Sequence, residues 1–491
     1  MSTTQMQGLH RPAQLKDIAL APTSSFIAGK WVEGTSKFPV LDKYTGQVFA
    51  EVFAMSAEQV SQAVKAARKA FEAGAPPPDV RAAALYKCAE LLAKYRDRFI
   101  DHIVAEGGLT FVDASRDVDR SIITLKLSAE EGTRLTGEQV SFAASPGQQN
   151  RIGFTIRVPL GIVCAITPFN SPINTVIHKV APSLAAGNAV VLKPAGYTPL
   201  TSALLVETLL EAGVAPGFIS LIQGGGSTVG NVLLEEQDID FYAFTGSTKV
   251  GAVIQRAAGF RKCQLEMGSI ASTIVCDDAD LARALPKIAN AAFRKAGQVC
   301  TSIQRLYVQA GILEDVVKGL AKEASRMPAG DPRNPATLVG PLISESDAKR
   351  VESWIHEAVE SGAKLVCGGQ RSGSVVQPAV LTNVAPGMKV WDAEIFGPVV
   401  CVMPFKTLEE AIESANNQPY GLAAGIFTRD INQAIQAAKS LRFGAIHINE
   451  TSNSRADGMP FGGVKASGYG FEGPKYTIRE VTEERLITIN L

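Results

Sequence analysis

The feature that most restricts the fold is an alternation that begins near residue 161. "GIVCAIT", "AVVLKP", "ISLIQG", "FYAFTG" and "QLEMG" are short apolar runs, and each is separated from the next by a segment long enough to hold a helix. Runs spaced this way cannot be joined by tight hairpins, so they read as buried parallel strands with crossover helices. The expected result is a doubly wound α/β sheet, whose ligands bind beyond the carboxyl ends of the strands.

A second alternation follows. "STIVC", "QRLYVQ", "VVCVMPF", "GLAAGIFT" and "GAIHIN" read as strands, with helices near 280–296, 312–327, 344–361, 408–416 and 430–441, which makes a second α/β unit. Upstream, the first 20 or so residues read as a loose arm, "FIAGKWVEG" and "TGQVFAEV" as strands, and 79–105 as one helix. Ser56 and Gln59 form a capping box ahead of Val60, Val64, Ala67 and Phe71, one apolar face of a helix ending near Gly74. The segment from Glu138 to Gly161 alternates like a long hairpin around Pro146-Gly147, and "EERLITINL" closes the chain as another strand. Two such edges predict an oligomer.

Composition excludes several classes. With 491 residues, 46% of them hydrophobic, the chain can fill two or three cores. Lys plus Arg and Asp plus Glu both number 48, so no net field favours nucleic acid or an anionic membrane. No apolar run approaches the roughly 20 residues of a membrane span, and the N-terminus lacks a secretory core, which predicts a cytoplasmic protein. The seven cysteines are odd in number and scattered, so neither disulfides nor a metal site is expected. Cys164, Cys276 and Cys401 lie in apolar runs and read as core.

Cys300 differs. In "FRKAGQVCTSIQR" it follows Gly297-Gln298 where an amphipathic helix gives out, a setting that suits a nucleophile as well as packing. Other groups are equally two-sided. "FTGSTKVG" (Phe244 to Gly251) and "GGGSTVG" (Gly224 to Gly230) are anion-binding turns or merely structural ones. Lys193 ends a strand, where it reaches a ribose or phosphate or stays solvated. Glu266 ends the fifth strand as a general base or a cap partner, and Asn170 in "TPFNSP" is an oxyanion donor or a turn residue.

Their order along the chain is more telling than any one of them. Asn170, Lys193, Gly246-Ser247, Glu266, Cys300, "EIFGP" (Glu394 to Pro398) and "PFGG" (Pro460 to Gly463) together resemble the NAD(P)-dependent aldehyde dehydrogenase superfamily, from about Phe26 to the end, closest to the branches acting on lactaldehyde, glyceraldehyde 3-phosphate and phosphonoacetaldehyde. The resemblance implies a Rossmann-like cofactor domain (1–134 and 154–264), a catalytic domain (265–476) and an oligomerisation β-flap (135–153 and 477–491), assembled as a homodimer or homotetramer. It makes Cys300 the nucleophile, Glu266 the base, and Asn170 with the Cys300 amide the oxyanion hole.

The same resemblance gives NAD or NADP as cofactor. Lys193, Ser247, Glu394 and Phe396 would contact it, together with Ile166, Thr167, Pro168, Gly196, Gly226, Gly230, Phe244, Thr245, Gly246, Gly251 and Met267. A thiolate would add to the aldehyde, the hemithioacetal would give up hydride, and water activated by Glu266 would hydrolyse the thioester. The alternatives are a CoA-acylating semialdehyde dehydrogenase, in which a thiol replaces water, a cofactor-free cysteine hydrolase, and a non-catalytic protein on the same scaffold.

Departures from the family pattern bear on specificity. "ELGGK" reads here Glu266-Met267-Gly268-Ser269-Ile270, and Ser171, Asn174, Thr175 and His178 make the presumed pocket more polar than the usual aromatic one. Ser171, Asn174, Thr301 and Arg455 are therefore the expected substrate contacts, for a small polar or anionic aldehyde. Arg455 would grip the anion, or else would be a surface charge paired with Asp457. Gly196 stands where NAD-preferring relatives often carry Glu, which removes a repulsion against a 2′-phosphate, unless it only eases a turn.

Overall fold

The computed structural model describes residues 12–491. Residues 1–11 of the expected arm lie outside it, and the remainder is not loose. Leu15–Asp17 forms a turn of 3-10 helix, the Ala13 N–H donates to Asp101 (2.9 Å), and the Ala21 N–H donates to His102 Nε2 (3.1 Å).

Eight strands make the first sheet. Its five central strands are parallel and run, across the sheet, Ile219–Leu221, Ala189–Lys193, Ile162–Ile166, Phe241–Thr245 and Lys262–Glu266. Chain order reverses between Ile162–Ile166 and Phe241–Thr245, so the crossover helices leave on opposite faces there and a crevice opens at the strand ends. The register brings Ile166 beside Lys193 and Thr245 beside Glu266, so four residues of interest end adjacent strands. Ile162, Val163, Cys164 and Ala165 are fully buried, and burying an Ile or Val side chain contributes about 1.5–3 kcal/mol. The apolar runs thus do what their composition requires.

The second sheet has seven strands, in the order Lys364–Cys367, Ala379–Thr382, Val399–Phe405, Ile303–Gln309, Ala271–Val275, Ala423–Phe427 and Ala445–Ile448. All its pairings but the first are parallel. Glu266 ends a strand of the first sheet and Ala271 opens one of the second, so the short link between them crosses from sheet to sheet. Helices Leu281–Phe293, Leu313–Ser325, Glu345–Glu360, Leu408–Asn416 and Ile431–Ser440 fall where their periodicity put them. The capping box of Ser56 and Gln59 opens helix Ala57–Glu72 as expected.

Three readings change. The helix expected over 79–105 is two, Pro78–Lys94 and Arg96–Gly107, broken at Tyr95, whose φ of −95° and ψ of 15° leave the helical range while its hydroxyl donates to Glu211 (2.9 Å). No proline or glycine marks the break. The hairpin around Pro146-Gly147 has one short arm: only Gln139–Val140 pairs with Arg151–Pro159, because Phe142–Ala144 coils and the Phe142 ring lies over Gly153, where a Cβ would sit 2.1 Å from it. Instead Arg151–Pro159 pairs along nine residues with the last strand, Thr482–Asn490. Strands Ser36–Leu41, Lys364–Cys367 and Ala379–Thr382 were not expected, being short or interrupted by polar residues.

Candidate active site

The thiol stands on an unusual turn. Helix Leu281–Phe293 ends, Arg294 is extended, and then Lys295, Ala296 and Gly297 take left-handed φ values of 53°, 54° and 69°. Left-handed backbone costs a non-glycine residue roughly 1–2 kcal/mol, so the turn must be held from outside. The Lys295 N–H donates to Asp113 Oδ2 (3.1 Å), and the Lys295 carbonyl accepts from the Gln298 N–H (3.1 Å) and Nε2 (3.2 Å). Gln298 Oε1 accepts from the Ile343 N–H (2.9 Å). At Gly297 a Cβ would lie 2.0 Å from the Gly397 carbonyl oxygen, so the residue must be glycine for space as well as for φ. Cys300 leaves this turn facing a cavity of about 540 Å³.

Glu266 and Asn170 face the same cavity. The Glu266 carboxyl is only 3% exposed and lines the same cavity as the Cys300 thiol, while its Oε1 has no hydrogen-bond partner. Burial, and then the nearby Glu472 charge, push it up to about 6, with Arg455 and Lys179 opposing. Burial also pushes the thiol well above its ordinary value, and the Glu266 charge adds to that. Burial therefore favours the neutral thiol at rest, with the Glu266 carboxyl as the nearby titratable group. Asn170 Nδ2 donates to the Gln298 carbonyl (2.7 Å), which engages one amide hydrogen and leaves the other free.

The expected cofactor residues divide into two groups. Thr167, Pro168, Phe244, Thr245, Gly246 and Ser247 line the cavity along the reversal point of the sheet. Met267 lines it from the link that leaves the first sheet, and Glu394 and Phe396 from the second sheet's side. Ser247 caps helix Thr248–Ala258, whose amides open toward the crevice. The Glu394 carboxyl is pushed up to about 7 by burial and accepts from the Ser269 N–H at Oε1 (2.9 Å). Gly268 keeps the other oxygen clear, since a Cβ there would lie 2.7 Å from Oε2.

Ile166, Lys193, Gly196, Gly226, Gly230 and Gly251 are not in the cavity wall. Lys193 is buried, its ammonium lowered to about 8 by that burial, and it donates to the Pro194 carbonyl (3.1 Å). Gly196 and Gly226 border open space, with nothing within 4 Å of an added Cβ, and Gly230 sits beside the Lys193 side chain. Gly251 serves packing, because a Cβ there would lie 2.0 Å from Met267 Sδ.

The opposite wall carries four cations. Arg120, Arg294, Lys295 and Arg455 face the cavity, whereas Asp113, Asp117, Asp457 and Glu472, the carboxylates that partner them, are set behind. Arg455 stacks on Phe461 (3.9 Å), donates from Nη2 to Glu472 Oε2 (2.8 Å), and leaves its buried Nε without a partner. The expected surface pair with Asp457 does not form. Asp457 instead accepts from both Nε and Nη2 of Arg120 (3.2 and 2.7 Å), from Asn174 Nδ2 and from His178 Nε2 (both 3.1 Å), and these donors hold its carboxyl well below the usual range. Ser171, Asn174, Thr175 and Thr301 line the cavity as expected. His178 does not: it is fully buried behind the wall and reaches the site only through Asp457.

Sequence reasoning passed over Arg120, Arg294, Lys295 and Glu472. Arg294 and Lys295 stand inside the thiol run itself but read as ordinary basic residues at a helix C-terminus. Arg120 had no signal in the middle of helix Phe111–Thr133. Among the described residues no cluster of His, Cys, Asp and Glu is arranged to hold a metal ion, and no helix is long and apolar enough to cross a membrane.

A doubly wound sheet that opens at its reversal point onto a thiol, a carboxylate and an amide has the arrangement of a dinucleotide-dependent enzyme acting on a carbonyl group. The chain belongs to the aldehyde dehydrogenase family, which it matches over residues 31–487, and it is an NAD(P)-dependent aldehyde dehydrogenase. It is 43% identical over 466 residues to a 3-sulfolactaldehyde dehydrogenase of Priestia aryabhattai, covering 95% of this chain and 98% of that one. It is 37% identical over 470 residues to a lactaldehyde dehydrogenase of Methanococcus maripaludis (95% and 99% covered). Among solved structures it resembles an NADP-dependent glyceraldehyde-3-phosphate dehydrogenase of Bacillus halodurans complexed with NADP, with a TM-score of 0.93 and 35% identity over 95% of this chain and 99% of that one.

Proposed function

We propose that the substrate is a small anionic aldehyde, of the three-carbon hydroxylated kind that sulfolactaldehyde represents, and that it is oxidised to the acid. One observation carries this reading: four cations line the substrate side of the cavity while their partner carboxylates stand behind them, so the positive ends of these pairs face the cavity on that side. Guanidinium groups in such a wall suit a sulfonate, carboxylate or phosphate, which accept parallel hydrogen bonds. The names of the similar proteins, sulfolactaldehyde, lactaldehyde and glyceraldehyde-3-phosphate dehydrogenases, agree in the size and polarity of what they oxidise.

In this reading Glu266 takes the thiol proton as Cys300 Sγ adds to the aldehyde carbon. The free amide hydrogen of Asn170 and the Cys300 N–H bind the oxygen, each such donor being worth about 3–4 kcal/mol in the transition state. The residues present fit a nicotinamide cofactor: Thr167 has a buried hydroxyl without a partner, Gly196 and Gly226 leave room, and Glu394 keeps Oε2 clear for a ribose. When bound, that cofactor supplies the hydride acceptor. Glu266 passes the thiol proton to solvent and then draws a proton from the water that cleaves the Cys300 thioester, so the thiol leaves and the acid is released. A carboxyl facing the cavity beside the thiol argues against the CoA-acylating alternative, in which no water need be activated.

The apolar side chains exposed on one face of the paired strands Arg151–Pro159 and Thr482–Asn490, Ile152, Phe154 and Ile489, support assembly through that flap into a homodimer or homotetramer. The substrate is tested by comparing kcat/KM for 3-sulfolactaldehyde, lactaldehyde and propanal with each cofactor. Sulfolactaldehyde should exceed the neutral aldehydes by at least about tenfold, the worth of one charge-assisted hydrogen bond. Equal values would remove the anionic reading and leave the dehydrogenase class untouched.

A further inference from the structure

Lys295 takes no part in the chemistry outlined above, yet the chain adopts a left-handed backbone, φ 53° and ψ 29°, to bury it. The residue is 8% exposed. Its Nζ donates to the main-chain carbonyl of Asn170 (2.9 Å) and to Asp117 Oδ1 (3.3 Å). Asp117 projects from helix Phe111–Thr133, and the same carboxylate accepts from the Ser171 hydroxyl and from the Asn174 N–H (3.4 Å), the residues that follow Asn170. The ammonium therefore joins three pieces of chain: the thiol turn, the 170–174 loop and the helix behind both. An ammonium on a long stem, with three donors, suits bonding a carboxylate and a carbonyl that come from different elements.

Asn170 is consequently held at two points by one short stretch. Lys295 holds its carbonyl, and the Gln298 carbonyl holds its side-chain amide (2.7 Å). A side-chain amide with one hydrogen engaged aims the other in a fixed direction only if its own main chain is also fixed. Both holds lie within five residues of the thiol, so the donor and the nucleophile are set by the same turn. We infer that Lys295 is the positioning residue of the oxyanion hole, fixing Asn170 relative to Cys300. This rests on the reading of Asn170 as an oxyanion donor. Lys295 also faces the cavity, so the competing role is direct contact with the substrate anion.

A double-mutant cycle separates the two roles, read as the single-turnover burst of reduced cofactor with succinate semialdehyde (anionic) and with propanal (neutral). Lys295→Met should slow the burst roughly 10- to 100-fold with both aldehydes, the usual effect of misplacing a reacting group by about 1 Å, with the larger change in kcat and a small one in KM. In an Asn170→Ala background the same substitution should cost less than about threefold, because its target is gone. Alkylation of Cys300 by iodoacetamide should proceed within about twofold of the parent rate, as the thiol itself is not displaced.

A loss confined to the anionic aldehyde would assign Lys295 to the substrate and overturn the inference. So would a full loss in the Asn170→Ala background, or a matching collapse of alkylation. If Asn170→Ala alone leaves the burst undiminished, the oxyanion reading falls and this one falls with it. If Asn170→Ala slows the burst and Lys295→Met does not, this one alone falls. Should Lys295→Met not fold, Lys295→Asn, which accepts left-handed backbone more readily, carries the same test.

Discussion

Replacing Arg455 by Met removes the guanidinium and keeps an unbranched apolar side chain against Phe461, where the cation now stacks at 3.9 Å. Three effects follow, and they separate by assay. Glu472 loses a 2.8 Å charge-assisted bond but keeps Lys179 and the Thr245 hydroxyl, so stability should drop by about 1–3 kcal/mol, visible as a lower Tm in thermal unfolding. An anionic aldehyde loses a charged partner worth about 1.5–3 kcal/mol, a fall in kcat/KM of roughly 10- to 150-fold. Glu266 loses a neighbouring cation that now holds its carboxyl down, so the acid limb of the pH profile should move upward from about 6. The sign matters for the assay: the base works only when ionised, so raising its value removes activity on the acid side and leaves the alkaline side alone. At pH 8 the carboxyl is ionised in the parent and, after a modest upward move, still largely ionised in the variant, so the two functional effects part there. Measured at pH 8, Arg455→Met should lose activity toward succinate semialdehyde and keep nearly all of it toward propanal; at pH 6 both should fall. Equal losses at pH 8, or none for the anion, would refute substrate-charge reading by Arg455.

The division of labour between thiol and carboxylate makes a second expectation. Cys300→Ala should abolish turnover, whereas Glu266→Gln should give a burst of reduced cofactor without steady turnover, followed by stopped-flow absorbance; normal steady turnover would show that another group activates the water. For the cofactor, NADP+ should be used appreciably, and Gly196→Glu, which has open space for its side chain, should raise KM for NADP+ at least about tenfold relative to NAD+, the expected consequence of setting a carboxylate against a 2′-phosphate; a strict NAD+ requirement in the parent would contradict this. Phe154→Glu with Ile489→Lys should shift sedimentation velocity toward the monomer, and an unchanged profile would place the subunit contact elsewhere.

Legibility in the sequence followed burial. Val399–Phe405 and four strands of the first sheet were visible because both faces are buried and the runs are mostly apolar, whereas Lys262–Glu266, with three polar residues in five, was carried by the spacing. Cys300, Glu266 and Asn170 stood out by their order along the chain, each at or just past the end of a strand or helix, and the fold brings all three to one cavity. Arg120, Arg294 and Lys295 could not, since a cation buried by long-range pairing with Asp457, Asp113 and Asp117 looks the same in sequence as a solvated one. Arg455 was noticed but given the wrong partner: Asp457 is two residues away in the chain, while Glu472, seventeen away, arrives through the fold. The break at Tyr95 escaped because a tertiary hydrogen bond to Glu211, and no local breaker, accompanies it.

The meeting of Gly297 with the Gly397 carbonyl has a consequence for how this chain can change over generations. Gly297 admits no side chain because the Gly397 carbonyl fills the place of its Cβ, and Gly397 admits none because a Cβ there would lie 2.7 Å from Val351. One glycine sits three residues before the thiol and the other three residues after the Glu394 carboxylate, so two sides of the cavity meet at a seam of bare backbone. A codon-by-codon substitution library selected for activity should therefore fall silent at both positions together, while the neighbouring Val299 and Ile395 tolerate apolar exchange. Inheritance there can vary the walls of the site, but it cannot move the wall that carries Cys300 relative to the wall that carries Glu394.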